Sequence, residues 1–204
     1  CVFGGAKVPD SLDVARHVLE NGLVGDVVMT GVVGNVFLLA DGVDLGTEST
    51  EFVRERGYDE QIERAADLLA AFPDSVHLPT DVAVERDGER VELAVTDLPP
   101  AEGEAVMDIG SDTIAAYADL VESAGTTFLN GPAGAFEEAP FEEGTRELFD
   151  AVTRSSYSIV GGGDSAAAIR RFGLSGFDHV STGGGATLRM LTGDPLPAVE
   201  VLRR

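Results

Sequence analysis

The chain has 204 residues, 44% of them hydrophobic, with 36 acidic against 14 basic side chains and a formal charge of −22. Nucleic acid and anionic membrane are held by clustered Lys and Arg, so this balance argues against both as partners. The hydrophobic share is enough for a buried core and argues against disorder.

No apolar stretch reaches the length of a membrane span, no signal peptide is expected, and the single Cys1 fits a reducing cytosol, where internal disulfides are rare. Lys7 is the one lysine among the 14 basic residues. An acid-rich, lysine-poor surface suits concentrated salt, in which self-repulsion is screened, so a halophilic, cytoplasmic protein is expected. The chain opens Cys-Val-Phe-Gly-Gly, a strand already under way, and is expected to be a fragment of a longer one.

In chain order, Val2-Phe3 reads as a strand. The spacing of Leu12, Ala15 and Leu19 predicts a helix over residues 11–21, with Ser11 as its cap and Gly22 past its end. Residues 27–29 read as a strand and 36–39 as helical. Ile62, Ala65, Leu69 and Phe72 form one stripe of a helix over 59–72. Strands at 82–85 and 91–95 flank Asp87-Gly88, a hairpin signal.

Residues 105–107 then read as a strand, and Ile114, Tyr117, Ala118 and Val121 mark a helix. A strand at 127–129 precedes a helix over 145–152. Strands at 158–160 and 179–181 each run into three glycines and a further helix, through Arg171 and Leu191 respectively. Alternating strand and helix imply a parallel sheet covered on both faces. The expectation is one α/β domain over 1–204: three layers, α/β/α, around a Rossmann-like parallel sheet of about six strands, with a small β-hairpin excursion.

In such sheets the ligand lies at the carboxyl ends of the strands. The glycines gather there: Gly4-Gly5, Gly131, Gly161 to Gly163 and Gly183 to Gly185 each follow an apolar strand. Four such turns make a surface of exposed amides suited to an anion, phosphate above all. Lys7 sits on this edge, and a flexible ammonium there can follow a phosphoryl group. Lys7 is followed by Val8, so there is no P-loop. Asp164, at a helix start, either caps that helix or meets a nucleotide-bound Mg²⁺, and the two roles are compatible.

Two other chemistries fit less well. Residues 161–166 match the dinucleotide fingerprint, but Asp178 stands at the wrong end of the next strand to hold a ribose. Residues 163–167 approach a nucleophile elbow around Ser165, with His179 as a conceivable base, but lack the second glycine. His17 and His77 read as structural or exposed, and no His/Cys cluster supports zinc.

Gly4-Gly5-Ala6-Lys7-Val8, Asn130-Gly131-Pro132-Ala133-Gly134-Ala135-Phe136-Glu137, Gly161-Gly162-Gly163-Asp164-Ser165-Ala166 and Ser181-Thr182-Gly183-Gly184-Gly185-Ala186 together resemble phosphoglycerate kinase, in that family's order and spacing. Leu78-Pro79-Thr80-Asp81 and Asp108-Ile109-Gly110 fit as well. The resemblance spans all 204 residues but only the C-terminal, nucleotide-binding half of such an enzyme, and the acidity points to a haloarchaeal member.

The resemblance implies reversible phosphoryl transfer between 1,3-bisphosphoglycerate and ADP, giving 3-phosphoglycerate and ATP with Mg²⁺, by a cytoplasmic monomer. Lys7 and the helix start at Gly183, Gly184 and Gly185 would face the transferred phosphoryl. Gly4, Gly5 and Ala6 would lie near the adenosine, with Asn130, Pro132, Ala135 and Glu137 lining the nucleotide, Glu137 at the ribose. Gly162, Gly163 and Ser165 would lie against the phosphates, and Asp164 would be linked to the metal.

Three departures stand out. Ser11 replaces a second lysine, Thr30-Gly31-Val32-Val33 replaces a Gly-Gly-Gly-Met segment at the adenine pocket, and Ser111 replaces a common proline. The basic 3-phosphoglycerate site belongs to an N-terminal domain that is absent here, so the chain is expected to bind Mg-nucleotide and turn over poorly alone. The alternatives are a nucleotide-binding module without catalysis and an α/β hydrolase using Ser165.

Overall fold

Parity along the strands decides the architecture, because successive side chains leave a strand on opposite faces. In the computed structural model, which describes residues 1–193, 195 and 201, Phe3, Val27, Met29, Val76 and Phe128 point into one core and Val2, Val28, Leu129 and Val160 into another. Strands buried on both faces need cover on both, and the helices supply it.

The elements run β1 (Val2–Phe3), α1 (Val8–Glu20), β2 (Val27–Met29), α2 (Gly31–Ala40), α3 (Gly46–Glu55), α4 (Asp59–Ala71), β3 (Val76–His77), β4 (Asp81–Arg86), β5 (Glu89–Ala94), β6 (Val106–Ile109) and α5 (Ser111–Ser123). There follow β7 (Thr127–Asn130), α6 (Glu143–Val152), β8 (Ser158–Gly161), α7 (Gly163–Phe172), β9 (His179–Ser181) and α8 (Gly184–Leu191). Helices α1, α2 and α4 pack on the first face, and α5, α6 and α7 on the second. Phe3 and Phe128 meet edge to face in the first core, their centroids 6.3 Å apart.

The main sheet has six parallel strands in the order β3-β2-β1-β7-β8-β9, and a second, antiparallel sheet has the order β5-β4-β6. A third, smaller cluster of Leu38, Leu45 and Val82 lies beneath this second sheet. Among the described residues no helix is long and apolar enough to cross a membrane.

Four expectations need correction. The strand at 105–107 is β6, which pairs antiparallel with β4 (Val82 opposite Ile109) and not within the parallel sheet; an apolar triplet carries no directional signal. The sixth parallel strand is instead β3, in which Val76 is the one apolar residue beside His77, so no apolar run marks it. Helix α1 begins at Val8, not Ser11, with Pro9 in its first turn; proline has no N–H to lose there, so Ser11 falls inside the helix. Helix α3 was not expected at all. Only Ser49 and Val53 of Gly-Thr-Glu-Ser-Thr-Glu-Phe-Val-Arg-Glu are buried, too few for a periodic stripe.

Candidate functional site

The order of the sheet reverses between β1 and β7: β2 and β3 lie to one side of β1, and β7, β8 and β9 to the other. The carboxyl ends of β1 and β7 therefore diverge, opening a crevice between the turns that follow them. Those turns are Gly4-Gly5-Ala6-Lys7 and Gly131-Pro132-Ala133-Gly134.

The turns are stitched together. Gly4 N–H donates to Asn130 O at 2.8 Å, Gly5 N–H to Pro132 O at 2.8 Å and Gly31 N–H to Ala133 O at 2.9 Å. The backbones approach so closely that a Cβ on Gly4 would overlap Pro132 O, and one on Gly131, with φ at +93°, would overlap Gly4 O. The amides of the Gly4-Gly5 turn were expected to be exposed for an anion; they serve the seam instead. The amides left for a ligand are those opening helices α7 and α8. The first bonded amide of α7 is Ala166 N–H, to Gly162 O at 3.0 Å, which leaves the exposed Gly163 and Asp164 ahead of it. At α8, Ala186 and Thr187 N–H donate to Gly183 O, so Gly184 and Gly185 open the helix.

Lys7 precedes α1 and reaches across the crevice, its Nζ 3.2 Å from Asp164 Oδ2 in the first turn of α7. Both side chains are more than 60% exposed. The Asp164 carboxylate makes this contact and not a cap, since no side chain caps α7. Tyr58, at the head of α4, donates its hydroxyl to Ala6 O at 2.7 Å and so anchors the turn that carries Lys7.

A cavity of about 520 Å³ opens beside this pair. Gly5, Ala6, Gly31, Pro132, Ala135, Glu137 and Asp164, all named from the sequence, line it. Gly4, Asn130, Gly162 and Ser165 sit behind it. Asn130 is buried, its Oδ1 against Gly162, and Ser165 is fully buried, its Oγ accepting Gly131 N–H at 2.8 Å. A hydroxyl so placed holds a loop and presents no nucleophile to a substrate. Ser11 does not line the cavity; its Oγ is buried in α1 without a partner. The other walls include Val32 and Asp108-Ile109, which lie in segments already named from the sequence, and residues that were missed: Asn35 from α2, Glu48, Ser49 and Phe52 from α3, and Val106 and Met107 from β6. Those on α3 come from a helix that left no apolar pattern, and those on β6 from a strand that was read but expected in the parallel sheet.

Asp108 forms the base of the loop wall. Its buried carboxylate accepts Gly144 N–H at 2.8 Å and Arg90 Nη1 at 2.9 Å, and Gly134 and Gly144 pack so close that neither admits a Cβ. Burial pushes this carboxyl up to about 6, against the opposing pull of Gly144 N–H and Arg90. Arg90 is held above its ordinary value: burial lowers it, but the bonds and charges of Asp108 and Glu92 outweigh that. Glu92 in turn accepts the N–H and hydroxyl of Ser111 at the start of α5. Asp81 accepts the next two amides, Asp112 N–H at 3.0 Å and Thr113 N–H at 2.8 Å. The dipole end of α5 is thus filled by the protein's own carboxylates and offers nothing to a ligand.

Residues 1–194 match the sequence model of the family described as "Phosphoglycerate kinase". The chain is 62% identical over 202 residues to the phosphoglycerate kinase of Halobacterium salinarum (strain ATCC 29341 / DSM 671 / R1), covering 99% of this chain and 51% of that protein. Against the phosphoglycerate kinase of Natronomonas pharaonis identity is 56% over 204 residues, with 99% and 51% covered. The crystal structure of phosphoglycerate kinase from Pyrococcus horikoshii OT3 superposes with a TM-score of 0.93 at 39% identity, covering 99% of this chain and 51% of that one. That from Coxiella burnetii gives 0.84 at 34%, covering 98% and 52%. The chain spans about half the length of the curated relatives it matches.

Proposed function

The chain belongs to the phosphoglycerate kinase family, and from that premise we propose that it holds the Mg-nucleotide for phosphoryl transfer between 1,3-bisphosphoglycerate and ADP, which yields 3-phosphoglycerate and ATP. The observation that carries this reading is the Lys7–Asp164 pair at the switch point of the sheet, beside a cavity of about 520 Å³. Phosphoryl transfer asks a protein for position and charge neutralisation more than for covalent chemistry. The crevice supplies an exposed cation in Lys7, a carboxylate beside it in Asp164 and the free amides of two helix starts.

Among the described residues no three His, Cys, Asp or Glu side chains come together to hold a metal. That suits Mg²⁺, which takes one or two carboxylates and completes its shell with water and substrate phosphates. Asp164 would hold it, and the ion would neutralise phosphate charge. Lys7, freed from Asp164 by that competition, would then turn to the phosphoryl oxygens, and Glu137 would meet the ribose. The acyl-phosphate substrate would bind on the part of the relatives that this chain does not span, so the chain by itself would bind nucleotide with little turnover. A cytosolic monomer in molar salt is the setting this reading assigns.

Calorimetric titration of Mg-ADP into the chain in molar KCl tests it. Saturable binding, weakened at least tenfold in Lys7→Ala, is the expected result. A folded chain that binds no Mg-ADP, or prefers NAD, overturns it.

A further inference from the structure

Arg90 does not line the cavity, yet its guanidinium ties together three segments behind the wall. Nε and Nη2 both donate to Glu92 Oε1 at 3.0 Å on its own strand, β5. Nη1 donates to Asp108 Oδ2 at 2.9 Å and Nη2 to Ile109 O at 2.7 Å, both at the end of β6. Nη1 also donates to Pro140 O at 3.4 Å, and Nε lies 3.6 Å from Glu143 Oε2 at the start of α6. The side chain is only 13% exposed. A buried ion pair is weak evidence for stability, because desolvation offsets much of its attraction, so the reach of the fork across three segments matters more than its charge.

Resting on the nucleotide reading of this cavity, we infer that Arg90 is a positioning residue: it pins the loop between β7 and α6 so that Glu137 meets the ribose. Residues 131–142 form that loop, and Glu137 and Glu138 lie within it on the cavity wall. Neither carboxylate is held by any described residue, so the backbone alone aims Glu137. On the near side that backbone is fixed by Ala135 N–H, which donates to Met107 O at 2.8 Å. On the far side Arg90 holds Pro140 O, and Asp108, which Arg90 also holds, accepts Gly144 N–H at 2.8 Å. Glu138 N–H donates to Ala135 O and Phe141 N–H to Glu138 O, both at 2.9 Å. These two bonds link the sides, so a shift at Pro140 is passed to Glu137.

Charge makes the clamp necessary. Residues 137–143 carry four carboxylates, Glu137, Glu138, Glu142 and Glu143, in a chain of net charge −22. Within this run Arg146 and Arg171 answer Glu142 alone. Arg90 is the cation that ties the run back to β6, and without it repulsion would spread the loop away from the crevice. Exposed pairs are screened in molar salt, but one this buried persists. A ribose contact tolerates a misplacement of only about 0.5 Å. A lysine here would keep one positive charge for Asp108, but a point-like ammonium cannot span acceptors on three segments.

The test is calorimetry in molar KCl with Mg-ADP, Mg-2′,3′-dideoxy-ADP and Mg-pyrophosphate, on the chain, on Arg90→Lys, on Glu137→Gln and on the double variant. The chain is expected to bind ADP about tenfold more tightly than the dideoxy analogue, the effect of a hydroxyl bonded to a carboxylate. Glu137→Gln should bring the two to within about threefold of each other. Arg90→Lys should do the same from behind the wall, the double variant should lose nothing more, and pyrophosphate affinity should stay within about twofold throughout. If Arg90→Lys is unfolded by circular dichroism, Arg90→Met combined with Asp108→Asn, which removes the cation and the buried charge together, carries the test. An Arg90→Lys variant that keeps the preference for ADP overturns the proposal. So does one weakened equally for pyrophosphate, which marks a merely structural role, or a double variant that loses more than either single one. An unmodified chain that does not distinguish ADP from the dideoxy analogue removes the ribose contact and the proposal with it. A folded chain that binds none of the three probes overturns the nucleotide reading itself.

Discussion

Lys7 Nζ lies 3.2 Å from Asp164 Oδ2 although 157 residues separate them in the chain. Strands β1 and β8 bring them together from either side of β7, the first through the turn after β1 and the second through the start of α7. Both side chains are more than 60% exposed. An ion pair so open to water contributes about 0–1 kcal/mol, because screening and side-chain entropy offset its attraction. The arrangement therefore says more about what the crevice binds than about what holds the fold.

Lys7→Ala should accordingly separate stability from binding. Thermal unfolding should shift by no more than about 4 °C, since about 1 kcal/mol moves a chain of this size by roughly 2–4 °C. Mg-ADP affinity should fall at least tenfold. A large loss of stability with unchanged affinity would instead make the lysine a structural residue.

Ser165→Ala tests the seam behind the cavity. The substitution removes the acceptor of Gly131 N–H in a turn whose backbone sits at positive φ. An unsatisfied buried donor costs about 1–3 kcal/mol, so a drop of roughly 3–10 °C in the unfolding midpoint is expected. Nucleotide affinity should fall with it, because Gly131 leads directly into Pro132, which lines the cavity. Unaltered stability with abolished ester hydrolysis would be the signature of a nucleophile.

Much of this was legible in the sequence. The alternation of apolar triplets with helical stripes gave the layers, and the glycine runs after strands gave the end of the sheet where Lys7 and Asp164 meet. What was not legible has physical causes. Pairing direction is set by tertiary contacts, so β6 looked like any other buried triplet, although it belongs with the hairpin. The polar helix α3 buries almost nothing, and so the wall made by Glu48, Ser49 and Phe52 left no periodic trace. Glycine composition shows where amides lie and not whether they are free, and Gly4, Gly5 and Gly31 turned out to be bonded to the opposite turn.

Asp108 should impose a recognisable pH dependence. Burial raises its folded value to about 6 from 3.8. Between those values the folded chain holds a proton that the unfolded chain has released. Stability from this group is therefore fully present below about pH 4 and is lost as pH rises through about 6, by on the order of 3 kcal/mol. Asp108→Asn cannot titrate there. Subtracting its denaturant-unfolding free energies from those of the parent chain between pH 4 and 7 should leave that falling slope. A flat difference would show that Arg90 and Gly144 N–H compensate the burial in full.

The acidic surface makes the last prediction. On α4, Glu63 and Asp67 are exposed and one turn apart, a like-charge pair at i,i+4 in a chain of net charge −22. Such a pair costs a few tenths of a kcal/mol at low salt, and the Debye length shrinks from about 10 Å at 0.1 M to about 3 Å at 1 M. The unfolding midpoint should rise with KCl over that range. Asp67→Lys converts repulsion into a favourable Glu-to-Lys spacing and relieves part of the net charge. It should raise the midpoint by about 1–4 °C at 0.1 M KCl and by almost nothing at 2 M. If the gain persists unchanged at 2 M, the acidic surface acts through something other than screened self-repulsion, such as a hydrated carboxylate layer that the lysine does not disturb.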